Sequence, residues 1–142
     1  MDTPDRNGPK RIAFLSTRIS GTDGVSLEIE KWAAVLESMG HRCYYLAGQC
    51  DDRAPERSRV IPEAHFRHPE VEEVTSGAFG SRLRPARVTE LVHDLTRRIQ
   101  RRLSEALTDF GIDVLIAENC VTIPMNIPLG LAVVETMMEK PI

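Results

Sequence analysis

The sequence predicts an α/β domain in which a mainly parallel sheet lies between layers of helices. Three observations carry that expectation. Ile12-Ala13-Phe14-Leu15 and Val114-Leu115-Ile116-Ala117 are short unbroken apolar runs, the pattern of strands buried on both faces of a parallel sheet. Between and after them, apolar residues recur with helical spacing. The length of 142 residues suits one compact domain, and its 42% hydrophobic and 27% charged residues are ordinary for a soluble globular chain.

Residues 1–10 are polar and rich in breakers, including Gly8 and Pro9, and read as a flexible lead-in to a domain that starts near Arg11. After the first strand, Ile12 to Leu15, comes a loop through Thr17, Gly21 and Gly24. Val25, Ile29, Trp32, Ala33, Leu36 and Met39 then form one amphipathic stripe, and Gly40 fits the left-handed position that ends a helix. Cys43 to Ala47 is the second strand, closed by Gly48.

From Gly48 to Arg87 the periodicity is weak, yet an unstructured loop of that length is unusual inside a compact domain. Arg59-Val60-Ile61 is expected as a small strand before Pro62, and Pro69 to Val74 as the opening of a short helix with proline in its first turn. Apolar residues from Val88 to Phe110 keep helical spacing to Gly111, and Val114 to Ala117 is the next buried strand. Asn126, followed by Pro128 and an apolar run to Met138, reads as a capped final helix. The alternation predicts a Rossmann-like, three-layer α/β/α architecture over residues 11–142. Glu139-Lys140-Pro141-Ile142 resembles the start of a further strand, so the domain is expected to be cut before its last strands.

Eighteen Lys and Arg against 21 Asp and Glu leave a net charge of −3, which disfavours a nucleic-acid partner. Cys43, Cys50 and Cys120 are odd in number and form no C-x-x-C pair, so a cytoplasmic chain with free thiols is expected. The N-terminus has no apolar signal core, and no run of about 18 apolar residues occurs. A Walker phosphate loop is missing, as is G-x-G-x-x-G with an acidic residue ending the second strand, where Gly48-Gln49 stand. Ser16-Thr17-Arg18 supplies no phospho-accepting carboxylate.

In an open parallel sheet, ligands bind beyond the carboxyl ends of the strands. Gly21 and Gly24, directly before a helix, would let the backbone and free N–H groups of the helix N-terminus approach a phosphate; an ordinary turn needing glycine is the other reading. At the third strand's end, Glu118 and Asn119, with Asn126 beyond, suit the hydroxyl groups of a polar ligand. Equally, Asn126 caps the last helix and Glu118 binds local backbone. Cys120 has no neighbour to activate it, and His65-x-x-His68 lacks further ligands at metal spacing. Arg82 to Arg102 holds seven arginines against Glu90 and Asp94. A solvated, partly ion-paired face is favoured there over peripheral membrane contact.

Arg11-Ile12-Ala13-Phe14-Leu15-Ser16, Gly21-x-x-Gly24-Val25-Ser26-Leu27 and Leu36-x-x-x-Gly40-His41-x-Cys43 together resemble the N-terminus of glycosyltransferase family 4 of the GT-B fold. Glu118-Asn119-x-x-x-Ile123-Pro124-Met125-Asn126-Ile127-Pro128-Leu129-Gly130-Leu131-Ala132 looks like a subgroup of the same family. The matches flank nearly the whole chain, although residues 51–87 carry no family mark.

The resemblance implies the N-terminal, mainly acceptor-side half of a two-domain retaining enzyme that transfers a sugar from a nucleotide-sugar donor. It carries the donor-phosphate loop onto Gly21, Gly24, Val25 and Ser26, and the acceptor side onto Glu118, Asn119 and Asn126. Gly21-Thr22-Asp23-Gly24 lacks the adjacent glycine pair common in the family. The E-x7-E donor element belongs to a C-terminal domain absent from these residues, so this chain alone is expected to be inactive. No covalently bound cofactor and no protein-bound metal are expected. The rival expectation is a free-standing Rossmann-like module that binds an anion or a partner without catalysis.

Overall fold

The computed structural model describes residues 7–142 apart from Ser81. Most of the expected lead-in therefore lies outside the described residues; at its end Lys10 is already tied down, donating its N–H to His41 Nδ1 at 3.0 Å and accepting from Arg42 N at 2.9 Å.

Four strands, β1 (Arg11–Ser16), β2 (Arg42–Ala47), β3 (Ser58–Val60) and β4 (Val114–Ala117), form one sheet in the order β3-β2-β1-β4. Every pairing is parallel: Ile12 lies opposite Cys43 and Val114, and Tyr45 opposite Ser58. The central strands β1 and β2 are buried along nearly their whole length, as their apolar runs require, while β4 is only half buried.

The period-2 alternation of β1 divides its side chains between two cores. Phe14 faces Ile29 and Ala33 of α1 (Gly24–Ser38), together with Cys43 and Tyr45. Ala13 and Leu15 face the opposite layer, where Ile99, Leu103 and Leu107 of α3 (Ala86–Phe110) meet Leu129 and Ala132 of α4 (Ile127–Glu139). Burying each such leucine contributes roughly 1.5–3 kcal/mol. A satellite core joins Val71 and Val74 of α2 (Pro69–Phe79) to Val92 and Leu95. The result is the three-layer α/β/α arrangement expected of a Rossmann-like domain.

Two features depart from the periodicity reading. Trp32 and Met39 do not belong to the buried stripe of α1: they are 51% and 65% exposed, and Trp32 Nε1 donates to Glu28 Oε1 on the solvent side. Only Ile29 and Ala33 reach full burial among the apolar positions, because α1 covers two strands rather than a broad core. In the weakly patterned stretch, two single 3-10 turns, Pro55–Arg57 and Pro62–Ala64, bracket the three-residue β3.

Helix ends follow local chemistry. Gly111 takes φ 62° to close α3, a conformation that costs a residue with a Cβ. Asn126 Oδ1 accepts from Leu129 N at 3.0 Å, capping α4. The arginine-rich face of α3 is partly ion-paired, through Arg87–Glu73 at 2.7 Å and Arg98–Asp94 at 3.2 Å. No helix among the described residues is long and apolar enough to cross a membrane.

Candidate functional site

Parallel strands bring the loops after β1, β2 and β4 to one end of the sheet. The first two are stapled side by side: Gly48 N donates to Thr17 O at 2.9 Å, and Ile19 N to Gln49 O at 2.8 Å. Gly48 is needed for packing there, since a Cβ would stand 2.2 Å from the backbone nitrogen of His65.

The glycine loop then enters α1. Gly21 has φ 76°, and beside Gly24 a Cβ would meet nothing within 4 Å, so open space lies next to the first residue of the helix. Asp23 caps it: Ser26 N donates to Asp23 Oδ1 at 3.0 Å, and the Ser26 hydroxyl lies 2.8 Å from Oδ2. Ser26 is fully buried, and its Oγ also accepts from Ser20 N at 3.0 Å. Burial works to raise the Asp23 pKa, but the two Ser26 hydrogen bonds and the Arg18 charge outweigh it and hold the carboxyl below its usual value.

Between this loop and the loop after β4 lies a cleft of about 210 Å³. Ser16, Thr17 and Arg18 line one side with Asp23 and Val25; Phe66, Asn119 and Met125 line the other. Arg18 Nε is buried without a hydrogen-bond acceptor among the described residues, although the guanidinium stands 3.9 Å from Asp23. A second cavity of about 400 Å³ adjoins it, sharing Phe66 and Met125 and continuing to Glu72, Thr75 and Ser76 of α2. The cleft thus offers an unsatisfied guanidinium donor, the start of a helix and an amide beside an apolar wall, a set suited to an anionic, hydroxyl-rich ligand.

Of the residues singled out from sequence, the structure brings Val25 and Asn119 into the cleft, with Gly21 and Gly24 exposed on its glycine loop. Asn119 has φ 58°, the one positive φ outside glycine among the described residues, and asparagine tolerates it. Glu118 extends the ladder, its N–H donating to Leu15 O at 2.8 Å, and does not line the cleft. Asn126 is 3% exposed and its amide is engaged at both ends: Oδ1 caps α4, and Nδ2 donates to Glu63 O at 2.8 Å. Arg18, Asp23, Phe66 and Met125 are cleft residues that sequence reasoning missed. Position just past a strand end was an available signal for Arg18 and Asp23; Phe66 and Met125 offered none.

The thiols are inert in this setting. Burial, with Glu118 beside it, pushes Cys120 up to about 12, and burial pushes Cys43 and Cys50 to about 11. His65 Nδ1 accepts from Arg67 N at 2.9 Å. Among the described residues, no three His, Cys, Asp or Glu side chains converge as a metal would require.

Fold and cleft together define a parallel α/β domain with an open cleft beyond its strand ends. The sequence matches no protein-family model and no solved structure. It is 29% identical over 133 residues to the mannosylglucosylglycerate synthase of Thermotoga maritima, an alignment covering 92% of this chain. The chain spans 30% of the length of that relative. The similarity supports a glycosyltransferase relationship in general.

Proposed function

We propose that this chain is the N-terminal, acceptor-side domain of a cytoplasmic, retaining glycosyltransferase of GT-B fold and family 4. The observation that carries the reading is the coincidence of the family-like glycine loop with a cleft at the strand ends, in a chain similar to a sugar-linking synthase. The relative's greater length supports a longer protein, in which a C-terminal domain would supply most donor contacts.

In this reading the nucleotide-sugar diphosphate approaches Gly21, Gly24 and the N-terminus of α1, where the N–H groups of Gly24 and Val25 are left over by the Asp23 cap. Arg18 exchanges its loose pairing with Asp23 for the leaving phosphate and offsets the charge that develops there. The acceptor occupies the side bounded by Phe66, Asn119 and Met125, with Glu118 nearby, and Asn126 holds that wall in place through its cap. Catalysis by such a pair of domains rests on positioning and charge stabilisation, with no protein-bound metal assigned.

The test is to express the complete native reading frame and supply it with a panel of nucleotide sugars and hydroxylated acceptors. Transfer with retained anomeric configuration, read by NMR, is expected from the full protein and not from residues 1–142 alone. A frame that stops shortly after codon 142, or a full protein without transfer, would favour the non-catalytic binding module instead.

A further inference from the structure

Away from the cleft, between the edge strand β3 and the middle of α3, lies a groove of about 330 Å³. Four arginines line it, Arg59, Arg98, Arg101 and Arg102, against a single acid, Glu105. Four guanidiniums thus converge on one concavity, three of them paired from behind by Asp109, Glu63, Glu70 and Asp94, which themselves lie outside the lining. Val60 and Ile61 complete the wall.

Most of these guanidiniums are held in position from behind. Arg59 pairs with Asp109 at 3.2 Å and lies over the Phe110 ring, 5.1 Å from its centroid. Arg98 is fixed by Glu70 at 2.8 Å and Asp94 at 3.2 Å. Glu63, whose side chain is only 6% exposed and lies outside the groove lining, stands 4.0 Å from Arg98 and 3.6 Å from Arg102. Arg101 makes no ion pair or hydrogen bond among the described residues. Each guanidinium carries five N–H donors, so these contacts leave donors over for a ligand. Arginines already oriented by carboxylates lose less entropy on binding, and their planar fork suits phosphate better than a monovalent anion.

We propose that this groove binds a phosphate group carried by a small molecule, at a site separate from the cleft. Its volume is enough for a phosphate and a compact body attached to it. The inference does not rest on the glycosyltransferase reading.

The test is calorimetric titration of the 142-residue chain with inorganic phosphate at constant ionic strength, with chloride as the control anion. Saturable phosphate binding is expected. Arg101→Gln, which removes no recorded contact, should weaken it by about tenfold while leaving the melting temperature without ligand unchanged. Arg18→Gln, in the cleft, should leave the groove's binding intact. Binding that Arg18→Gln abolishes and Arg101→Gln spares overturns the proposal, as does a response no larger than that to chloride. Vesicles containing phosphatidate, compared with neutral ones, separate the sources: sedimentation lost in Arg101→Gln would place the phosphate on a lipid headgroup and overturn the small-molecule source.

Discussion

The two edges of the sheet are built from opposite chemistry. Beyond β3 the edge is polar: arginines of β3 and α3, held by Asp109, Glu70 and Glu63, surround a short strand. Beyond β4 it is apolar. Val114 is 39% exposed, and Val121, Ile123, Leu131 and Val134 surround a groove of about 330 Å³ between α4 and the preceding loop. A short edge strand decorated with charge is how proteins discourage further pairing. An all-apolar strand at an edge has the composition of one covered on both sides. The β3 edge thus carries charge that discourages further pairing, while the β4 edge leaves apolar side chains exposed.

Asn126 joins the two sides, since it caps α4 next to β4 and donates to the Glu63 carbonyl next to β3. Asn126→Ala removes the cap and leaves a buried carbonyl unpaired, so the largest loss, about 2–3 kcal/mol, is expected there. Urea unfolding with an unchanged slope would measure it. An effect below about 0.5 kcal/mol would mean that the edges are independent.

Arg98→Ala attacks the β3 edge alone. It leaves the buried Glu63 carboxylate with Arg102 as its remaining ion-pair partner, and frees Glu70. Because Arg98 is itself about a third exposed, solvent screening limits the expected cost to about 1–2 kcal/mol. The difference from the parent should shrink between low and high salt; a salt-independent loss would point to packing of the arginine stem instead.

These contrasts also show what sequence could reveal. The strands of the sheet's centre and the long helices were legible because burial imposes a period of 2 or 3.6, and Asn126 because capping is a local act. Trp32 and Met39 misled, since spacing marks a helix face but not how much of it a neighbouring sheet covers. Two 3-10 turns and a three-residue strand between residues 48 and 69 are too short to express any period. The cleft was half legible: Val25 and Asn119 sit at strand or helix ends, whereas Phe66 and Met125 meet there only through tertiary packing. The arginine run is a solvated, partly ion-paired helix face as its composition predicts, whereas the groove beside it needs Arg59, about 40 residues away in sequence.

His65, in the turn beside β3, adds a pH dependence to stability. Burial, then the charges of Arg18 and Arg67, hold the His65 pKa below 6.5, so the folded state favours the neutral ring. The stability this residue contributes is complete above pH 6.5 and is lost as the pH falls through the lowered folded value. Unfolding measured from pH 7.5 down to 5 should show the decline, and His65→Gln should flatten it. An unaltered slope would assign the proton uptake to another group.

The smallest effect on stability belongs to the apolar edge, where it is most informative. Val134 is 49% exposed on α4, so Val134→Lys should change the unfolding free energy by no more than about 0.5 kcal/mol. If the β4 side normally lies against protein, the isolated chain should self-associate through it at high concentration, and the lysine should shift sedimentation toward monomer. The same substitution in the complete protein should then cost far more than in the isolated chain, because the charge would be buried against the added layer. Equal costs in both would mean that the apolar face stays open to solvent, and that the asymmetry between the edges has another purpose.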